Sequence, residues 1–182
     1  MNIKPGDIFL HYGGKSLINR LICYGTKSKF HHCSICVSSS LIIEATSGLV
    51  RAQAIKNIES FYSVYRVKEE YSYNIKRVIH FLNSKLNANY DYRGVIWLGI
   101  LKLLRLKQKS NAFQKKKDYF CSELVYEAFS EGGLDIVPGV PSAGITSPAD
   151  IANSERLCHL GSFEKYITFP GHLKLGKIKK EI

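Results

Sequence analysis

Acidic residues are scarce in this chain: 15 Asp and Glu stand against 26 Lys and Arg, giving a formal net charge of +11. Such an excess is most often a solvated basic surface, and otherwise an attraction to an anionic partner. The basic clusters fall at 102–117 and 174–180. Cysteine is neither absent nor even in number. Five cysteines at 23, 33, 36, 121 and 158 have irregular spacing, which speaks against a disulfide framework and for reduced thiols. The N-terminus lacks an apolar run long enough for a signal peptide, and Pro5-Gly6-Asp7 interrupts it. The expected compartment is the cytoplasm, with export by an unmarked route left open. No segment is expected to span a bilayer, since "YRGVIWLGILKLLRL" is too short and carries Lys102 and Arg105. Glycine-rich phosphate loops, internal repeats and linkers rich in Pro, Gly or Ser are also missing. With 45 % hydrophobic residues in 182, the expectation is one domain, 1–182, with a sizeable core.

The patterning then gives the elements. "SLINRLICYG" places Leu17, Ile18, Leu21 and Ile22 at helical spacing, with Ser16 as cap and Gly25 as stop. "FHHCSICV", "LIIEAT" and "FYSVYRV", rich in β-branched, aromatic and small apolar residues, read as strands, "GLVRA" as another short strand, and "IFLHY" as either a short strand or a buried turn. "SYNIKRVIHFLNSKL" and "YRGVIWLGILKLLRL" read as helices, followed by a polar, mobile loop, "KQKSNAFQKKK". "SPADIAN" opens a short helix with Ser147 as N-cap and Pro148 at the first helical position. "LCHLGSF" and "KYITF" supply two further strands. Strands and helices segregated in this way argue for an α+β fold with an antiparallel sheet.

The chemistry is expected around "KKKDYFCSELVYEAFSEGG". Cys121, Leu124, Val125, Ala128 and Phe129 form one buried helical face, with Ser122, Glu123, Glu127 and Ser130 on the other side. Gly132-Gly133 stops the helix. Cys121 therefore lies in the first turn, where free N–H groups and the helix dipole favour a thiolate. The same position also suits a small buried apolar residue. A nucleophile needs a base and a group to hold that base.

Among six histidines, His11, His80, His159 and His172 have no acid that the sequence places beside them. His32 does. If Ser38-Ser39-Ser40 closes a three-residue hairpin, Cys36 faces Ile42, Ile35 faces Ile43 and Ser34 faces Glu44. Alternation then puts His32, Ser34, Ile42 and Glu44 on one face, with His32 the diagonal neighbour of Glu44. His31 falls on the opposite face. Glu44 sits in the apolar run Leu41–Ala45, where a carboxylate generally has a partner. Thiol, imidazole and carboxylate complete an activated-nucleophile pattern of Cys121, His32 and Glu44.

With these residues assembled, the chain resembles the permuted NlpC-type papain-like thiol hydrolases, most of all the YiiX/YebB-like group, which includes a poxvirus branch. The motifs are "GDIFL", "FHHCSICV", "LIIEAT", "YDY", "YFCSELVYEAF" and "SPADIA", in the family's order over most of the chain. As in the permuted group, the histidine strand precedes the cysteine helix. The resemblance implies a circularly permuted papain-like fold, an antiparallel barrel-like sheet packed on helices, with the cleft between sheet and cysteine helix. It implies hydrolysis or transfer at an amide, ester or thioester, with Cys121, His32 and Glu44 as the triad and no metal or cofactor. A small peptide, an amino-acid amide or a lipid acyl group are the substrate classes it allows. Ser34 stands where the family carries glycine, placing a hydroxyl beside His32, and 93–117 is unusually basic and apolar.

In that mechanism the Cys121 backbone N–H is one oxyanion donor, the second donor is unassigned, and Tyr119 is either a polar neighbour or a packing residue. Three other classes compete. Cys33-x-x-Cys36 with Cys158-His159 resembles zinc ligation, although strand positions 33 and 36 point apart. A basic nucleic-acid-binding module fits the charge but lacks a recognition motif. A catalytically idle scaffold fits the fold alone. Docking of "VIWLGILKLLRLKQK" on anionic lipid, with Trp97 at the interface, is a variant of the hydrolase reading.

Overall fold

The computed structural model describes residues 2–163, apart from 15, 47, 105, 107–109 and 113–116. The expected strand "KYITF" and the basic cluster 174–180 lie outside the described residues. Strand β1 (Ile8–Tyr12) leads into helix α1 (Leu17–Thr26). Strands β2 (Phe30–Cys36), β3 (Leu41–Ala45), β4 (Val50–Ala54) and β5 (Phe61–Val67) follow. Helices α2 (Ile75–Ser84), α3 (Tyr92–Leu103), α4 (Cys121–Glu131) and α5 (Pro148–Ala152) precede the last strand, β6 (Leu157–Phe163). The strands form one antiparallel sheet in the order β4-β3-β2-β1-β5-β6. This sheet is open, with β4 and β6 as edges, rather than closed into a barrel.

The Ser38–Ser40 loop closes the β2–β3 hairpin in the expected register, with Ile35 opposite Ile43 and Cys36 opposite Ile42. One face of the sheet packs on α2 and α4. There Leu10, Cys33, Ile35 and Ile43 meet Val78, Leu82, Leu124 and Phe129. Phe129 is fully buried, so its truncation to Ala costs about 3–5 kcal/mol. The other face carries a smaller cluster of Phe9, Cys36, Ile42, Ile58 and Val64. Alternation along β2 thus sends Cys33 and Cys36 to opposite sides, which removes the paired-cysteine zinc geometry.

Helices α1 and α3 pack on each other through Ile22, Val95, Leu98 and Leu101. Gly25 does not end α1, which runs to Thr26 and stops at Lys27 in the left-handed region (φ 51°). Its lack of a side chain serves the contact instead, because a Cβ there would lie 2.9 Å from the Gly99 carbonyl oxygen. Trp97 packs beside this cluster rather than facing outward. The exposed apolar residues of α3 are Tyr92, Ile96 and Leu103. No helix among the described residues is long and apolar enough to cross a membrane.

The loop after α3 is not free throughout. Asn111 is buried, and its side-chain amide donates to the Gly94 and Gly144 carbonyls at 2.9 and 2.8 Å. Ser147 caps α5 with Pro148 in its first turn, as its sequence dictates. Ser122 and Glu123 are buried, contrary to their expected exposure. Ser122 Oγ donates to the Thr146 carbonyl at 2.7 Å, tying the start of α4 to the segment before α5. A Glu123 carboxylate oxygen accepts the Phe120 N–H at 3.3 Å. Both are polar constraints at one helix terminus, which apolar periodicity does not report.

Candidate active site

Cys121 is the first residue of α4, and the N-cap Phe120 has no side-chain acceptor to occupy the first-turn N–H groups. The sulfur lies in the core beside β2, only 1 % exposed. The Cys33 thiol, as a donor, is the largest cause of its raised acidity, and the Cys33 backbone N–H is a minor one. Burial opposes the thiolate, but the nearby His32 charge and a hydrogen bond from His32 favour it. The balance holds the Cys121 thiol well below an ordinary cysteine. The Cys33 thiol moves the other way, pushed up by burial and by the charge it faces. It therefore stays protonated and able to donate.

His32 is the histidine paired with Glu44. Its Nε2 donates to a Glu44 carboxylate oxygen at 2.7 Å, which leaves the other ring nitrogen, Nδ1, outside that bond. Burial alone would lower the His32 pKa. The Cys121 charge and hydrogen bond, with Glu44 behind them, reverse this and raise it to about 10. Burial likewise pushes Glu44 up, and the bonds from His32 and Arg51 overturn that, bringing it to about 2. Its side chain is 6 % exposed, so the charge survives only because it is paired.

Arg51 is a partner that sequence reasoning missed. It faces Glu44 across the β3–β4 pair and donates Nε and Nη2 to the second carboxylate oxygen, at 3.0 and 2.9 Å. The signal was present: a four-residue connection, 46–49, sets Arg51 opposite Glu44. His11 was also missed, because only the non-local β1–β2 pairing brings it opposite His32, with ring centroids 4.9 Å apart. Its ring nitrogens meet the Ser60 and Ser34 hydroxyls at 2.7 and 3.0 Å. The Ser34 hydroxyl therefore serves His11 rather than His32. Burial and the neighbouring His32 charge hold His11 well below an ordinary histidine, so it is neutral.

His31 departs from its expected face. The β1–β2 register shifts between His11 and Tyr12, so His11 pairs with His32 while Tyr12 pairs with Phe30. His31 is the extra residue of a β-bulge, which re-aims its side chain. Both histidines line one cleft of about 750 Å³, together with Glu44, Arg51, Tyr90 and Tyr92. Tyr90 is set there by bonds from its N–H to the Gly48 carbonyl and from Asp91 N–H to the Tyr119 carbonyl. Burial and the charge at Cys121 keep the Tyr90 phenol protonated. Tyr119 is a packing residue. Its ring lies edge-on to Phe81 and under Lys85.

Metal ligation deserves a test against the same donors. Ligand atoms of His11, His32 and Glu44 lie within 4.8 Å of one another, the one such group among the described residues. Their lone pairs and protons are already engaged. Glu44 spends one oxygen on His32 and the other on Arg51, and both His11 nitrogens meet hydroxyls. An incoming cation would also face the Arg51 guanidinium. As arranged, these residues fit a hydrogen-bonded relay and not a metal centre.

No family model matches the chain. The "Probable lipoprotein peptidase YaeF" of Escherichia coli (strain K12) is 25 % identical over 203 residues, covering 96 % of this chain and 72 % of that protein. The crystal structure of "metalloprotein yiiX" from Escherichia coli O157:H7 superposes with a TM-score of 0.67 at 16 % identity, covering 88 % of this chain and 97 % of that one. Both likenesses are consistent with the YiiX/YebB-like resemblance. The solved structure shares the fold, and the curated relative points to a hydrolase-like function.

Proposed function

We propose that the chain is a thiol hydrolase of permuted papain-like architecture, cleaving a peptide amide through an acyl-enzyme on Cys121. The observation that carries the reading is the 2.7 Å bond from His32 Nε2 to the Glu44 carboxylate, and it is supported by the opposite shifts of Cys121, whose thiol is made more acidic, and His32, whose imidazole is made more basic. Cys121 is the nucleophile, His32 the acid and base, and Glu44 the orienting group. Arg51 supports Glu44 in turn.

In the resting site the proton sits on His32 and the negative charge on Cys121. The thiolate attacks the carbonyl carbon, and the carbonyl electrons move to oxygen. His32 then gives its proton to the leaving amine as the carbon–nitrogen bond breaks, leaving a thioester. Water attacks that thioester as His32 takes its proton; the sulfur then departs as the thiolate with the proton kept on His32, which releases the acid and restores the resting pair.

The cleft argues for a peptide-like substrate. Its walls carry Asn19, Gln53, Asn57, Glu59 and Ser60, hydrogen-bonding side chains that suit an amide backbone better than an acyl chain. The name of the curated relative, a probable peptidase, agrees with this.

The test is iodoacetamide labelling of Cys121 against pH, mapped by peptide mass, in wild type and His32→Ala. Fast labelling that persists well below about pH 8.5 and weakens in the variant supports the reading. Labelling no faster than that of an ordinary thiol in both proteins rejects it.

A further inference from the structure

Resting on that reading, we propose that His31 is the second oxyanion donor, its Nδ1–H and the Cys121 backbone N–H together receiving the oxygen of the tetrahedral intermediate.

The bulge in β2 carries the first part of the argument. Without it His31 would point away from the cleft, as strand alternation requires. With it, His31 and His32 line the same cavity as neighbours in sequence, doing different work.

The tautomer follows from one contact. The Gly14 N–H donates to His31 Nε2 at 3.0 Å, so Nε2 is an acceptor and the ring proton belongs on Nδ1. Gly14 is held against this ring, since a Cβ there would lie 2.5 Å from Nε2. The ring is fixed, and its donor is fixed with it.

Nδ1 is buried and meets no hydrogen-bond partner among the described residues. His31 as a whole is 8 % exposed. A buried N–H left without an acceptor costs on the order of 1–3 kcal/mol, so it marks a place where an acceptor arrives from outside. Burial and the His32 charge lower its pKa and outweigh the Cys121 charge and the Tyr12 carbonyl, which favour the protonated ring, so the ring donates as neutral imidazole. A neutral donor does not compete with His32 for the thiolate, and it strengthens its bond only as negative charge develops on the substrate oxygen.

Two reactions at the same sulfur separate this role from the triad. Alkylation by iodoacetamide needs the thiolate but builds no oxyanion. Acylation by p-nitrophenyl acetate needs both. His31→Phe should label Cys121 at the wild-type rate with the wild-type pH profile. Its nitrophenolate release, corrected for Cys121→Ala, should fall by about 10²–10³-fold. His31→Gln, whose amide offers both an acceptor for Gly14 and a donor, should recover at least part of that loss.

Acylation undiminished in His31→Phe overturns the proposal. So does a parallel fall in labelling and acylation, which would assign His31 to the thiolate or to the fold. If wild type labels and acylates no faster than an ordinary thiol, the hydrolase reading fails first and this donor with it.

Discussion

His32 and Glu44 meet at 2.7 Å across the β2–β3 hairpin, and the same carboxylate takes two N–H groups of Arg51 on its other side. Glu44→Gln removes the charge and keeps the shape. The imidazolium loses its counter-ion, the Cys121 pKa rises, and iodoacetamide labelling retreats toward alkaline pH. Acylation by an activated ester should fall by roughly 10²–10⁴-fold, the range spanned by acid–base and orienting groups of this kind. Labelling and acylation equal to wild type would remove Glu44 from the site.

The same pair shapes stability against pH. Glu44 titrates at about 2 in the fold against 4.5 in a free side chain, so its contribution is present above pH 4.5 and is lost as pH falls toward 2. His32 has the opposite sign. Its pKa of about 10, against 6.5, gives a contribution complete below pH 6.5 that drains away as pH rises to 10. Thermal melts should therefore show Glu44→Gln most destabilised relative to wild type between pH 4.5 and 6.5, with the gap narrowing toward pH 2. A gap independent of pH would mean that the two groups do not titrate as a pair.

How much of this was legible depended on the range of the interaction. The face of α4 and the three-serine hairpin are local patterns, and each was read correctly from spacing alone. The hairpin was enough to join His32 to Glu44. The faces of Ser122 and Glu123 were misread, because they are buried by hydrogen bonds to Thr146 and Phe120 and not by apolar periodicity. His31 was misassigned because alternation assumes an unbroken ladder, and the bulge is a property of β2 pairing with β1. His11 and Cys33 reach the site through contacts with no short-range signature. Arg51 needed only the length of the next turn.

Cys33 tests whether its thiol sets the acidity of Cys121. Cys33→Ala deletes a donor to the sulfur and should raise the Cys121 pKa, slowing labelling on the acid side. Cys33→Ser restores a hydroxyl donor and should keep most of the wild-type profile. Equal profiles for the Ala variant and wild type would leave His32 and the helix terminus as sufficient causes.

Arg51 acts through Glu44 and is 51 % exposed, so its removal should do less than that of Glu44. Arg51→Met should raise the Glu44 pKa and weaken labelling at low pH, while leaving the rate near neutral pH close to wild type. Salt should blunt the difference, since an exposed guanidinium is screened. A loss as large as that of Glu44→Gln at all pH values would place Arg51 on the substrate itself.

Metal dependence separates the hydrogen-bonded relay from a metal centre built on the same residues. In the relay, His32 is free to carry a proton between Cys121 and the leaving group. A divalent ion held by His11, His32 and Glu44 would occupy the His32 nitrogen that now bonds Glu44 and pull the ring from the thiolate. Chelator should therefore leave both labelling and acylation unchanged, and elemental analysis of purified protein should find no stoichiometric metal. Added zinc should inhibit, less strongly in His11→Gln, which removes one of the three donors. Activity lost with chelator and restored by one equivalent of a single metal would replace the relay with a metal centre.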